Sequence, residues 1–382
     1  MKIRRKKAYL VTMVTVLILF TGCWDRVEIE NRGFVLGIGL DKAESEGKIA
    51  MTYQFALPSA MFGAGGNGGG DGEKVWNVTS TSPSVIRAEK QILTRMNRVP
   101  DLQHTQVLII GEALAEEGLY EYIDFFLREI NIRRRMDVLI AEGKAEDLFD
   151  IAPLTANSTA DYLSEIIMLN EKDVHRISSE VDLLKMSKNL RRGTDFIVAK
   201  VAPGKKDIEM TGAGVFRKDQ LIGYLDPEEV RKTKWLIDDI SQGTIVVEDI
   251  GGIQGHIVFE ISEGKTRVTP QIHDESVDFD AVIRVEGDVA ELEDLDFPDT
   301  TSEEFITAVE RKIEQEIKKE CEEIMKKAQE EFEAEFFNFG ALVKNYDRRW
   351  FEKHEAEWRK IFKKSRLSVK VNVDIRRVGL VD

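Results

Sequence analysis

Residues 302–337, SEEFITAVERKIEQEIKKECEEIMKKAQEEFEAEFF, set the plan for the second half of this chain. Apolar side chains fall at Phe305, Ile306, Val309, Ile313, Ile317, Cys321, Ile324, Met325, Ala328, Phe332 and Phe336. That spacing keeps returning to one side of a 3.6-residue helix, so one long amphipathic helix is expected across the stretch. Glu and Lys fill the other faces. Pairs such as Glu314–Lys318 and Glu322–Lys326 stand four residues apart, where opposite charges meet on a helix surface. A coiled coil is the alternative, but the spacing drifts off a strict heptad.

Such a helix needs a surface to lie on. Gly340 interrupts the pattern, and a second helix is expected to carry Leu342, Val343, Tyr346, Trp350, Trp358, Ile361 and Phe362. Leu367, Val369, Val371, Val373 and Ile375 then alternate with polar residues, which predicts a strand with one wet face. Upstream, Thr244–Ile250, His256–Ser262, Thr266–Ile272 and Val277–Val285 read as three or four strands rich in β-branched residues. The expected packing lays the long helix across an antiparallel sheet that includes the final strand.

Earlier still, Glu209–Phe216 and Leu221–Leu225 flank Lys218-Asp219 as a hairpin. Asp226-Pro227-Glu228-Glu229 signals a helix start, with Asp as N-cap, Pro in the first turn and carboxylates at the positive end of the helix dipole. Pro203–Lys206 is read as a boundary. Before it, helices and strands alternate: a helix opened by Ser82-Pro83, a strand at Thr105–Ile110, a helix over Glu112–Glu129 and a strand at Met136–Glu142. A short helix at Lys144–Asp150, two more near 158–170 and 178–190 and a strand at Asp195–Val201 follow. Phe34–Leu40 and Ile49–Leu57 read as partner strands, and Phe62–Gly72 as a glycine-rich loop. The expected fold class is α+β, multi-domain, with helices packed on mixed and antiparallel sheets. The divisions are 1–22, a signal segment; 23–202, an α/β region of one unit or two subdomains; and 207–382, an α+β domain.

The N-terminus has its own logic. Lys2, Arg4, Arg5, Lys6 and Lys7 precede the apolar run Ala8–Phe20, and Thr21-Gly22-Cys23 follows. A basic start, a short apolar core and small residues make a secretory signal. Thirteen apolar residues fall short of the roughly 20 that span a bilayer. The cysteine directly after Thr-Gly resembles a bacterial lipoprotein signal, in which the thiol takes a diacylglyceryl group and becomes the first mature residue. Phe20 departs from the usual Leu of that pattern. An uncleaved anchor, or a cleaved signal with an incidental cysteine, are the alternatives. Two acyl chains supply stable anchoring where one gives only reversible binding.

The formal net charge is −15; without residues 1–22 the chain holds 49 basic and 69 acidic residues, a net −20. That argues against general nucleic-acid binding and against broad attraction to anionic lipid, so membrane attachment should be a local device. Cys321 falls on the apolar stripe, where a free cysteine is an ordinary core residue, so no disulfide with Cys23 is expected.

No HExxH, CxxC, GxSxG or phosphate-loop motif occurs, and Gly33, Gly37 and Gly39 do not make GxGxxG. No catalytic residue, cofactor or metal is expected. His256, His273 and Asp274 form the one histidine grouping worth weighing for a metal, with strand-end histidines as the ordinary reading. Glu291–Asp299 lacks the ligand spacing of a calcium loop. Arg133-Arg134-Arg135 is the sharpest basic cluster, suited to lipid headgroups or an acidic partner, or simply a solvated helix end. Trp350, Trp358 and Phe362 read as core packing rather than a ligand box.

The run Gly22-Cys23-Trp24-Asp25, with Glu28–Asp41 (EIENRGFVLGIGLD), resembles the start of the Ger(x)C spore germination lipoproteins. Further matches are His104-Thr105, Ile109–Ala115, Gly118-Leu119, Gly212–Phe216, Gly223-Tyr224-Leu225, the two tryptophans Trp350 and Trp358, and the end Ile375–Leu380. The resemblance spans essentially the whole chain. It implies the C subunit of a nutrient germinant receptor, lipid-attached at Cys23 and without agreed catalytic residues. It implies two membrane-embedded partners, an A-type subunit and a transporter-like B-type subunit, and a place on the outer face of the inner spore membrane. A solute-binding lipoprotein and a lipid-anchored cell-wall hydrolase are the rival readings. The first would need two doubly wound lobes around a cleft, and the second a nucleophile or metal motif.

Overall fold

The computed structural model describes residue 28 and residues 31–57, 74–129, 131–173, 181–237, 240–250, 253–293 and 302–378. Cys23, the signal segment, the loop 62–72 and most of the acidic run 291–299 lie outside the described residues.

Nine strands share the first sheet. β1 (Arg32–Lys42) pairs antiparallel with β2 (Ile49–Ala56), and β2 with β3 (Val75–Ser82). The short β4 (Val99–Asp101) runs parallel to the start of β1. On its other side β1 is parallel to β5 (Val107–Gly111), β5 to β6 (Asp137–Ala141) and β6 to β7 (Phe196–Pro203). β8 (Ile208–Arg217) and β9 (Gln220–Leu225) complete the sheet as antiparallel strands. Val107–Ile110 and Val138–Ile140 are buried throughout, because helices cover both faces of parallel strands.

Those helices are α1 (Val85–Leu93), α2 (Glu112–Glu117), α3 (Tyr120–Arg128), α4 (Ala145–Phe149), α5 (Thr159–Asp173) and α6 (Leu183–Arg192). α1, α2, α3 and α6 bury their apolar sides in one core, while α4 and α5 pack on the opposite face. The helix expected over Glu112–Glu129 divides at Gly118, whose φ of +119° is outside the helical region. There Leu119 N donates to Asp219 O of the β8–β9 turn at 3.0 Å.

Pro203–Lys206, expected to separate two domains, is a hairpin turn inside this sheet. β7 and β8 pair on either side of it, from Phe196 opposite Phe216 to Pro203 opposite Ile208. β8 and β9, placed by sequence in the second half, therefore belong to the first sheet. The reason lies in their alternation. Phe196, Val198, Phe216 and Leu221 face the first core, while Ile197, Ala213, Val215 and Leu225 face a further core built by the C-terminal elements.

That further core begins with α7 (Pro227–Ile237), entered as expected through Asp226. Asp226 Oδ1 accepts from Glu229 N at 2.8 Å, and Glu229 Oε2 from Asp226 N at 3.0 Å, a reciprocal cap. A four-stranded sheet follows: β10 (Gly243–Ile250), β11 (Ile253–Ile272), β12 (Val277–Glu293) and β13 (Leu367–Val378). Two expected strands thus merge into β11. Gly264 marks a bend and not a turn: the register shifts beside it, and it exchanges backbone hydrogen bonds with Ile240.

α8 (Glu303–Glu330) is the long helix, capped by Ser302 Oγ on Phe305 N. It ends earlier than the apolar stripe suggests, because Glu333 takes φ +47° and Phe332, Phe336 and Phe337 are buried in an irregular turn. The expected second helix is three, α9 (Phe339–Tyr346), α10 (Arg348–His354) and α11 (Trp358–Lys364). β13 pairs parallel, not antiparallel, with β12. A parallel return needs a long crossover, and α8 to α11 provide it.

Candidate functional site

Neighbouring parallel strands β5 and β6 end at the same edge. The chain leaving β5 turns onto one face of the sheet as α2, and the chain leaving β6 turns onto the other as α4. Where such connections diverge, a crevice opens beyond the strand ends, the place where open α/β sheets hold ligands. Here it is a cleft of about 410 Å³ bounded by Asp41, Gly111, Glu112 and Gly143, with Lys42 and Lys144 beside them.

Asp41 closes the base. It is the last buried residue of β1 and turns its carboxylate onto the start of α4. Oδ1 accepts from Ala145 N at 2.7 Å and Oδ2 from Glu146 N at 3.0 Å. α4 has no side-chain cap from its own Lys144, so Asp41 satisfies those N–H groups from a distant strand. Burial pushes the Asp41 carboxyl up to about 6, against the lowering effect of the two N–H donors. Gly111 must be glycine here: a Cβ would stand 2.1 Å from Asp41 Oδ1 and 3.2 Å from Gly143 O.

Glu112 holds the far wall. Its N–H donates to Gly143 O at 3.0 Å, its Oε2 accepts from Gly143 N at 3.3 Å, and its Oε1 accepts from Tyr224 Oη at 2.6 Å. Burial, then this carboxylate, hold the Tyr224 hydroxyl well above its ordinary range. Lys200 Nζ sits 4.4 Å from the centre of the Tyr224 ring and 2.6 Å from Glu142. At the mouth, Lys42 pairs with Glu117 at 2.5 Å and Lys144 approaches Glu44 at 3.8 Å. The lining offers carboxylates and ammonium groups but no thiol, imidazole or aliphatic hydroxyl. Its chemistry is hydrogen bonding and charge pairing, and much of that capacity is spent joining β1, β5, β6 and β9.

The residues singled out from sequence lie elsewhere. Arg133, Arg134 and Arg135 are exposed in the loop before β6. Trp350 Nε1 donates to His273 O at 2.8 Å, Trp358 Nε1 to Glu335 Oε2 at 3.3 Å, and Phe362 is fully buried, so the aromatic stripe fastens the C-terminal core. His256 and His273 stand near opposite ends of β11, tens of ångströms apart by strand rise, and cannot share a metal. Among the described residues no group of three or more His, Cys, Asp or Glu is arranged to hold one. Asp41, Gly111, Glu112 and Tyr224 carry no role that the sequence alone assigns. The available signal was an acid directly after a buried apolar run, in Gly39-Leu40-Asp41 and Ile109-Ile110-Gly111-Glu112.

Two family models match the chain: the spore germination protein N-terminal domain over residues 25–203, and the spore germination B3/GerAC-like C-terminal domain over residues 211–379. The chain belongs to the GerAC-like spore germination protein family. Spore germination protein YndF of Bacillus subtilis (strain 168) is 27% identical over 100% of this chain and 98% of its own length. Spore germination protein B3 of the same organism is 24% identical over 97% of each chain. Spore germination protein GerQC of Bacillus cereus is 20% identical over 97% of this chain and 99% of its own. The crystal structure of the GerBC protein superimposes with a TM-score of 0.57 at 19% identity, covering 89% of this chain and 97% of that one, which shows the shared fold. In this member of the GerAC-like family, the cleft is lined by the N-terminal matched region, and its Glu112 is held by Tyr224 of the C-terminal one.

Proposed function

We propose that this GerAC-like protein is a lipid-anchored, non-catalytic subunit of a nutrient germinant receptor. It is attached through a diacylglyceryl group on Cys23 at the outer face of the inner spore membrane. It works by docking on two membrane-embedded subunits, an A-type and a transporter-like B-type, to assemble the receptor or pass on its signal. One observation carries the reading. The match to spore germination proteins runs the length of both chains, so the similarity extends over the whole molecule and not over one borrowed module. The order Lys/Arg start, apolar run, Thr-Gly-Cys supports the anchor. The engagement of Asp41 and Glu112 in holding strands and helices together supports a recognition or assembly role over acid–base chemistry. A solute-binding lipoprotein is less well supported, because the described residues build a nine-stranded sheet and a dissimilar four-stranded one in place of the two similar lobes such proteins close on a ligand.

The test is affinity capture from spore inner membranes followed by mass spectrometry, comparing the tagged chain with its Cys23→Ala variant. Recovery of two membrane subunits with the unaltered chain, and their loss with the variant, is the expected result. Capture of the chain alone, with nutrient germination intact in the variant, would overturn the subunit reading.

A further inference from the structure

β1 begins at Arg32, nine residues after Cys23, and nine residues reach at most about 30 Å. On the anchored reading just proposed, the edge of the sheet where β1 starts is therefore held close to the bilayer. That edge has an unusual surface for so acidic a chain. β6 runs parallel to β5 and β5 to β1, so the loop entering β6 shares the edge. It exposes Arg133, Arg134 and Arg135. α6 is docked on this loop, with Leu183 N donating to Met136 O at 3.0 Å and Leu184 N to Arg134 O at 3.1 Å. α6 buries Leu183, Met186 and Leu190 and leaves Lys185, Lys188, Arg191 and Arg192 exposed. The helix contains no acidic residue, and the two aspartates at its foot, Asp137 and Asp182, are buried; Asp182 accepts from Lys185 N at 2.6 Å as the cap.

Apolar groups stand at the same edge. Trp76, opposite Phe55 and thus level with Val35, is 39% exposed. Val99, paired with Arg32, is 53% exposed. Indole rings and Lys or Arg side chains together are what a membrane–water interface favours. The opposite edge carries the cleft, where the carboxylates Asp41, Glu112 and Glu116 stand with Lys42 and Lys144, which are paired with Glu117 and Glu44, so no surplus of cations faces lipid there.

We propose that the edge formed by the start of β1, the Arg133–Arg135 loop and α6 is the face this protein lays on an anionic lipid bilayer. The two acyl chains supply attachment, and the basic face supplies orientation. Net charge repels the molecule as a whole from such a surface, so approach is favoured at an edge where cations cluster within reach of the anchor. The cleft between β5 and β6 then opens away from the membrane.

The test uses the full acylated chain on vesicles of phosphatidylcholine, with and without phosphatidylglycerol, each carrying a headgroup-linked quencher. A fluorophore is placed through Lys188→Cys on the basic face or Lys144→Cys beside the cleft; native Cys321 is buried and does not compete. Quenching several-fold stronger at position 188 than at 144, dependent on phosphatidylglycerol and abolished by high salt, is expected. The charge reversal Arg134→Glu/Arg192→Glu should remove the difference while leaving the protein on the vesicles. Equal quenching at both positions, or indifference to phosphatidylglycerol, overturns the proposal. So does shielding of position 188 only when receptor membrane subunits are added, which would assign the patch to an acidic protein partner. The anchor reading is checked separately by the intact mass of the membrane-extracted chain: absence of the diacylglyceryl mass on Cys23 sinks that reading whatever the quenching shows.

Discussion

Asp41 joins the end of β1 to the first turn of α4 across 104 positions of sequence. Its folded carboxyl titrates near 6 against an ordinary value of 3.8, because burial penalises the charge more than two N–H donors relieve it. The fold therefore favours the protonated form. That contribution to stability is complete below about pH 4 and is lost as pH rises through about 6. Asp41→Asn removes the titration. Melting temperature measured from about pH 4 to pH 7 should fall less steeply in the variant, with a residual slope from the buried Glu335, whose carboxyl is pushed up to about 7. An unchanged slope would mean that Asp41 titrates as it does in the unfolded chain. The sequence shows an aspartate after an apolar run and nothing more. Its partners are backbone N–H groups, which carry no side-chain signature, and only the approach of α4 brings them within reach.

At the scale of elements, α8 is where pattern and outcome can be compared side by side. Phe305, Val309, Ile313, Ile317, Cys321, Ile324, Met325 and Ala328 are all buried, as periodicity requires, and Cys321 is the core residue expected. Glu320 is buried too, which periodicity does not anticipate. It lies between α8 and α7, where Arg231 pairs with both its carboxylate oxygens and Trp235 Nε1 donates to Oε2 at 2.8 Å. Removing one partner of a buried pair strands the other charge, at a cost of roughly 3–5 kcal/mol. Glu320→Ala should therefore lower urea-unfolding stability by about that amount at neutral pH, and Glu320→Met combined with Arg231→Met should restore most of it. A loss of under about 1 kcal/mol for the single variant would mean that Glu228, whose Oε2 accepts from Arg231 Nε at 3.0 Å, satisfies the guanidinium by itself. The end of α8 shows a different limit. The apolar stripe runs on to Phe336 because those rings are buried, yet Glu333 and Asn338 adopt positive φ and the chain is no longer helical. Burial pattern reports which side chains are inside and not which backbone carries them.

For the molecule as a whole, the first core and the C-terminal core share the layer β7–β9, which is apolar on both faces. Chains divided at Pro203–Lys206 are accordingly expected not to fold separately. The first half would lose the partner of β7, and the second would carry β8 and β9 with Phe216 and Leu221 uncovered. Circular dichroism of residues 24–204 and 205–382, alone and mixed, checks this: neither piece alone should show a cooperative melt. A cooperative melt in either would mean that the family-model border near residue 203 is also a folding border.

Residue pattern alone specifies the body of α8 and the strand β13, where the α7 cap falls, that Cys321 is internal, and the family to which the chain belongs. These rest on local periodicity, on capping chemistry within four residues and on motifs spread along the chain, all of which survive without knowledge of distant neighbours. Only the folded arrangement settles the parallel return of β13, the merging of β8 and β9 into the first sheet, the bend at Gly264, and the cleft of Asp41, Gly111 and Glu112 with the Tyr224 bond to Glu112. Each of those depends on which strand lies beside which, and a strand's alternation is the same whether its neighbour runs parallel or antiparallel, from near in the chain or far.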